Sequence, residues 1–145
     1  MKSYCLGFNF VHGRKGVLLI EKTRPEWQKG YWNGLGGKID RYENSHEAMV
    51  REFSEESGCI TDILEWSCIG KVSYTDSINI VVEPHDLYIF RRDIDITSYN
   101  PYCDEGKLYI HDTELLPRML PLNQALLLLC LQNETLSAGI ESVRK

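Results

Sequence analysis

A chain of 145 residues, 43% hydrophobic and 26% charged, is sized for a single domain spanning 1–145 and has enough apolar residues for a core. Its net charge of −5 argues against a basic face gripping a nucleic-acid polymer, and its longest apolar run, Ala125 to Leu131, is far too short to cross a bilayer. The five cysteines (Cys5, Cys59, Cys68, Cys103, Cys130) are odd in number and scattered, with no CxxC pair, so neither a disulfide framework nor a zinc site is expected. That cysteine usage fits a reducing cytosol, so a cytoplasmic protein is expected, and the first residues lack the apolar core of a signal peptide.

In chain order, Ser3 to Val11 and Val17 to Glu21 read as strands joined by the His12–Gly16 turn, a hairpin. Lys22 to Gly30 is a polar loop holding Pro25 and Trp27, and Tyr31 to Leu35 is a short strand leading into Gly36-Gly37. Asn44 with Glu47 reads as an N-cap and its capping-box partner, and Gly58 as a C-terminal stop, which predicts a helix between them. On that helix Glu52, Glu55 and Glu56 fall at i, i+3, i+4 and share one face, with Arg51 four residues before Glu55 and able to pair with it. His46, Val50, Phe53 and Ser57 make the opposite face, expected to dock on a sheet. The anionic stripe has two readings, a solvated acidic face or a set of oxygen ligands for Mg²⁺ or Mn²⁺.

Beyond the helix, Ile63 to Tyr74 reads as a long strand broken near Thr75-Asp76-Ser77. Ile78 to Val82 and Asp86 to Arg92 are strand material on either side of Pro84, where a bulge or turn is expected. Asp93 to Gly106 is turn-rich, Lys107 to His111 is a strand, and Asp112 to Leu116 is a helical turn ending at Pro117. Leu122 to Gln132 is a leucine-rich helix, and Ser137 to Lys145 a loose helix or tail. Strands before and after one central helix, with a second helix late, predict an α+β sandwich.

Gly37, Glu43, Arg51-Glu52-Phe53, Glu55-Glu56 and Gly58-Cys59, at their spacings, resemble the Nudix box throughout. Cys59 stands where that family usually has an aliphatic residue and Tyr42 where glycine is common. The resemblance implies the Nudix fold, a mixed sheet between helices. It also implies Mg²⁺ or Mn²⁺ held by Glu52, Glu55, Glu56 and the backbone of Gly37, with Arg51 holding the carboxylates in place. Trp32-Asn33-Gly34-Leu35-Gly36-Gly37-Lys38 is similar to the WNGxGGK segment of Nudix enzymes that remove oxidised purine nucleotides. Asn33 then either meets the base or supports a turn before Gly34. Gly36, Gly37 and Lys38 would approach the phosphates.

Pro121-Leu122-Asn123-Gln124 is similar to the P-x-N-E element of MutT-type proteins, with Gln124 in place of the glutamate. Asn123 either reads the purine or caps the helix. Glu105 lies where related enzymes carry a further metal-binding or base carboxylate. Trp27, Trp32 and Met119 are core residues or base-stacking ones, and Arg91-Arg92 are solvated or reach phosphates. The implied activity is Mg²⁺-dependent hydrolysis of a nucleoside diphosphate linked to another group. The leading substrate is a purine (deoxy)nucleoside triphosphate, including an oxidised one such as 8-oxo-dGTP, split to monophosphate and pyrophosphate by a monomer or homodimer. Alternatives are a dinucleoside polyphosphate enzyme, for which Tyr74 is a weak sign, an ADP-ribose pyrophosphatase, for which Pro84 lies too late, or a non-catalytic nucleotide-sensing module.

Overall fold

A computed structural model describes residues 2–78 and 81–132, so the reading for 137–145 lies outside the described residues. The chain runs β1 (Lys2–Val11), β2 (Gly16–Lys22), a 3₁₀ turn (Glu26–Gln28), β3 (Trp32–Asn33), β4 (Leu35–Lys38) and α1 (Ser45–Ser57). It continues through a second 3₁₀ turn (Ile63–Glu65) to β5 (Ser67–Ile78), β6 (Val81–Arg92), β7 (Tyr102–Cys103), β8 (Gly106–Asp112) and α2 (Pro121–Gln132). One mixed sheet has the order β5-β6-β1-β2-β8-β7, with β3 paired to β2 and β4 to β1.

The central strand β1 is long enough to serve several partners. Tyr4 to Gly7 pair antiparallel with β4, Asn9 to Val11 antiparallel with β2, and Lys2 to Asn9 run parallel to β6 along the other edge. Period-two alternation then divides its side chains between two cores. Leu6, Phe8 and Phe10 join Val17, Leu19 and Ile89 against Leu126, Leu127 and Cys130 of α2. Cys5, Leu18, Ile20, Leu35 and Phe90 pack against Ala48, Met49 and Phe53 of α1. The sheet is therefore covered on both faces, the expected α+β sandwich.

The α1 boundaries agree with the sequence reading. The Asn44 side chain accepts from Glu47 N at 2.8 Å, Glu47 accepts from Asn44 N at 2.9 Å, and Gly58 ends the helix at φ 78°. Losing the Asn44 cap would cost about 1 kcal/mol. The division of the helix surface differs from the expected one. Met49, Phe53 and Glu56 fall within about 60° of arc at 3.6 residues per turn, and all three are buried. His46 and Val50 are only half-buried. The carboxylate stripe is thus not opposite the docking face; it merges into it.

Three further strand readings are corrected. Tyr31 to Leu35 is two strands, since Asn33 pairs with Ile20 of β2 while Leu35 pairs with Gly7 of β1. Residues Ile63 to Glu65 form a 3₁₀ turn under their own Asp62 capping box, and the strand starts only at Ser67. Finally, β5 and β6 form one hairpin ladder from Ser67↔Arg91 to Ile78↔Val81, with Thr75 opposite Pro84 and no break there. Pro84 is tolerated because the β1–β6 ladder begins at Lys2↔His85. Among the described residues it therefore has a strand partner on one side only.

Candidate functional site

The seam between β4 and α1 brings the box residues together. A Cβ on Gly37 would sit 2.7–2.8 Å from the carboxylate of Glu52, so the missing side chain is what lets that group lie against the β4 backbone. One position back, Gly36 N donates to Glu56 Oε1 at 2.9 Å. Glu56 is 4% exposed, and burial, outweighing the Gly36 N–H, pushes its carboxyl up to about 8. Glu52 is also raised, again chiefly by burial, despite its bond to Arg51. Glu55 is the outlying member, its side chain 51% exposed.

Arg51 does more than pair with Glu55. Its Nε donates to Glu43 at 3.0 Å, its Nη1 to Glu52 at 2.8 Å and Glu55 at 3.1 Å, and its Nη2 to the Lys38 carbonyl at 3.0 Å. This one guanidinium ties the end of β4 and the following loop to the helix. In turn it holds Glu43 well below the usual carboxylate range. Because an arginine stays charged at any working pH, it offsets part of the repulsion among the glutamates.

Glu105, in the β7–β8 turn, is placed near the cluster by strand register, since Gly106 pairs with Lys22 at the end of β2. Arg24 Nη2 donates to its carboxylate at 2.8 Å and Lys22 Nζ lies 3.7 Å away, and the Arg24 bond lowers its pKa. Glu105 raises the carboxyls of Glu52 and Glu56 electrostatically, while Lys22 lowers that of Glu56. Glu105 is therefore a paired anion beside a buried, proton-binding one.

A cleft of about 470 Å³ opens beside this seam, lined by Asn33, Gly36, Gly37, Lys38, Glu56 and Asn123 among others. Residues from β3, β4, α1 and α2 thus meet in one space. Asn33 also satisfies its turn reading, its Oδ1 accepting from Gly34 N at 2.8 Å. Asn123 does not cap α2: the helix starts at Pro121, and Gln124 N already bonds to Leu120 O, so Asn123 sits inside the first turn.

Among the aromatic candidates, Trp27 is 66% exposed and lines the cleft. Trp32 instead packs edge-on to His111 at 4.4 Å and bridges to Met119, which is buried. Arg91 and Arg92 are structural rather than solvated or phosphate-facing. Arg91 donates to the Cys130 carbonyl near the end of α2, and Arg92 to Asn9 Oδ1 at 2.7 Å.

Sequence reasoning missed Lys22, Gln28, Tyr4 and Leu87 in the lining, and gave Tyr74 little weight. Tyr74 stacks on His85 at 5.1 Å. A lysine or tyrosine at a strand end carries no local signature; only the pairing of β1, β5 and β6 brings Tyr4, Tyr74 and Leu87 to one wall.

The three glutamates and the Gly37 backbone offer hard oxygen donors, the chemistry that suits Mg²⁺ or Mn²⁺. The burial of Glu56 and Glu52 also gives a bound cation something to relieve, since it would stabilise their ionised forms. Their side chains are engaged elsewhere, Glu52 and Glu55 by Arg51 and Glu56 by Gly36 N. Accordingly, among the described residues no three His, Cys, Asp or Glu groups stand ready to hold a cation. The chemistry of the donor set fits such a cation.

A family model described as the NUDIX domain matches residues 8–134. An oxidized purine nucleoside triphosphate hydrolase of Danio rerio is 36% identical over 78 residues, covering 54% of this chain and 47% of the relative. The match therefore spans about half the length of that curated relative. The crystal structure of a mutator MutT protein from Bacillus halodurans superposes with a TM-score of 0.79 at 22% identity, covering 94% of this chain and 86% of that one. The NUDIX domain of Shewanella oneidensis NrtR, solved with ADP ribose, superposes at 0.69 with 14% identity, covering 86% and 82%. These two likenesses concern the fold.

Proposed function

Because this chain belongs to the NUDIX family, we propose that it is a hydrolase that splits a purine (deoxy)nucleoside triphosphate, including oxidised forms, to monophosphate and pyrophosphate with Mg²⁺ or Mn²⁺. The observation that carries the reading is that a single cleft is lined by Asn33 and Asn123 together with Gly36, Gly37, Lys38 and Glu56. Two amides, each both donor and acceptor, suit a purine edge. With Oδ1 of Asn33 engaged by Gly34 N, its NH₂ group is the part offered to a base acceptor. The relative described as an oxidized purine nucleoside triphosphate hydrolase supports the same substrate class.

In this reading Glu52, Glu55, Glu56 and the Gly37 carbonyl would hold the cation. When bound, it would neutralise phosphate oxygens and lower the pKa of a water. The chain's own residues do the rest. Lys38 draws the phosphates onto the open Gly36-Gly37 backbone, and Arg51 keeps the glutamates from scattering. One of those glutamates, or Glu105, orients the water or takes its proton. Catalysis then comes mainly from positioning and fixed charge.

A nucleotide panel with Mg²⁺, its products resolved by ion exchange, tests the proposal. Monophosphate and pyrophosphate from purine triphosphates are expected. Tight nucleotide binding with no hydrolysis anywhere in the panel would instead identify a sensing module.

A further inference from the structure

Of the seven asparagines in the chain, Asn33 alone is followed by glycine. The sheet dictates the second residue of that pair. A Cβ on Gly34 would lie 2.6 Å from the Gly7 carbonyl oxygen of β1 and 2.9 Å from the Phe8 ring, so a larger residue would push β1 aside. The cleft accounts for the first, since Asn33 supplies one of the amides assigned above to the base.

Asn-Gly is a chemically labile pair, because the glycine nitrogen reaches the asparagine side-chain carbon with no Cβ in its way. In this fold the two groups already face each other. Gly34 N donates to Asn33 Oδ1 at 2.8 Å, and that oxygen is one C=O bond, about 1.2 Å, from Cγ. Nitrogen and carbon are therefore at most about 4 Å apart, close to a near-attack separation. Gly34 lies between β3 and β4 and belongs to neither strand. Both residues line the 470 Å³ cleft, which admits water and lets ammonia leave, and Lys22 in the same lining suits the anion that results.

We infer that Asn33-Gly34 is a spontaneous modification site that converts the base-reading amide into a carboxylate. The Gly34 nitrogen gives its proton to solvent and attacks Asn33 Cγ. An N–Cγ bond forms, the Cγ–Nδ2 bond breaks, and ammonia leaves with a proton taken from water, closing a cyclic imide. Water then opens the ring at either carbonyl, leaving aspartate or isoaspartate. The net exchange is water in and ammonia out, with no oxidant or cofactor. The amide's NH₂ donor is lost, and the isoaspartate form adds a carbon to the main chain just ahead of Gly36-Gly37. The effect on purine selection rests on the hydrolase reading above; the chemistry of the site does not.

Peptide mass spectrometry on protein held at mildly alkaline pH, folded and in urea, follows each asparagine. Asn33 in the folded protein is expected to convert within about tenfold of its rate in the unfolded chain, a barrier difference of about 1.4 kcal/mol. Asn33→Gln, whose longer side chain cannot close the same ring, should stay intact. Survival of Asn33 in the folded protein through a period that converts the unfolded chain overturns the site.

Aged wild type and Asn33→Asp are then assayed with Mg²⁺ on purine and pyrimidine triphosphates. Both are expected to lose purine preference by at least about fivefold. Conversion with unchanged preference overturns the loss of base recognition. If fresh wild type hydrolyses nothing, the hydrolase reading fails, while mass spectrometry still decides the modification. Calorimetric binding of dGMP to fresh and aged protein then decides recognition: weaker binding after ageing supports its loss, and equal binding overturns it.

Discussion

Tyr31 and Arg118 are joined twice: Arg118 Nη2 donates to the Tyr31 hydroxyl at 2.6 Å, and the guanidinium lies 4.1 Å from the tyrosine ring. Beside them Trp32 N donates to Arg118 O at 2.8 Å and Trp32 bridges to Met119. The segment leading into Asn33 is thereby fastened to the one leading into α2 and Asn123. Removing this clamp should let the two amides drift apart. Arg118→Ala is expected to reduce the purine-over-pyrimidine ratio of kcat/KM about fivefold, from ~1 kcal/mol of cation–π and hydrogen-bond energy. Tyr31→Phe should cost less. A fall in Tm with an unchanged ratio would make the clamp purely structural.

Asn123→Ala tests base reading directly. An unpaired purine donor or acceptor costs about 1–3 kcal/mol, so purine preference should fall roughly 5- to 150-fold while rates on a poor pyrimidine substrate barely change. Since Asn123 does not cap α2, little loss of Tm is expected. Asn33→Ala should lower the same ratio and also some stability, because its Oδ1 holds Gly34 N. Equal slowing of every nucleotide by Asn123→Ala would remove base reading from that residue.

The two glycines of β4 should fail differently. The atoms nearest to a Cβ on Gly37 would be the movable end of Glu52, at 2.7–2.8 Å. Gly37→Ala should therefore fold normally and lose turnover by displacing that carboxylate. A Cβ on Gly36 would lie 2.0 Å from the Cys5 carbonyl oxygen, in backbone that cannot move aside. Gly36→Ala should be destabilised by several kcal/mol, at the severe end for point mutants. Thermal melts and activity assays on both separate the outcomes.

Glu56 carries a pH signature. Its folded carboxyl lies at about 8, above its ordinary value of 4.5, so the folded state holds a proton that the unfolded chain has lost. The stability from this group is complete below pH 4.5 and is lost as pH rises toward about 8. In EDTA, melts should show stability falling by up to about 1.4 kcal/mol per pH unit across that window. Glu56→Gln should flatten the slope.

Mg²⁺ should reverse that trend, since a bound cation favours the ionised carboxylate and stabilises by linkage. Tm near pH 8 is expected to rise with Mg²⁺ in wild type and much less in Glu56→Gln. Hydrolysis that persists in excess EDTA would refute the metal proposal, whatever the melts show.

Local chemistry determined much of this protein by itself. Asn44, Glu47 and Gly58 bounded α1 because caps are short-range hydrogen bonds and one left-handed residue. The spacing of Glu52, Glu55 and Glu56 placed three carboxylates on one helical face for the same reason. The tertiary structure decided what that face looks at. The sheet meets α1 along Met49, Phe53 and Glu56, turning an apparent surface stripe into a half-buried cluster with a raised carboxyl. It also turned Arg91-Arg92 inward, carried β5 and β6 through Pro84 as one hairpin, and brought Tyr4, Tyr74 and Asn123 to the cleft wall. Burial, and the pKa it sets, depends on desolvation by residues far apart in the chain. Periodicity reports only which side chains share a face, never what that face is pressed against.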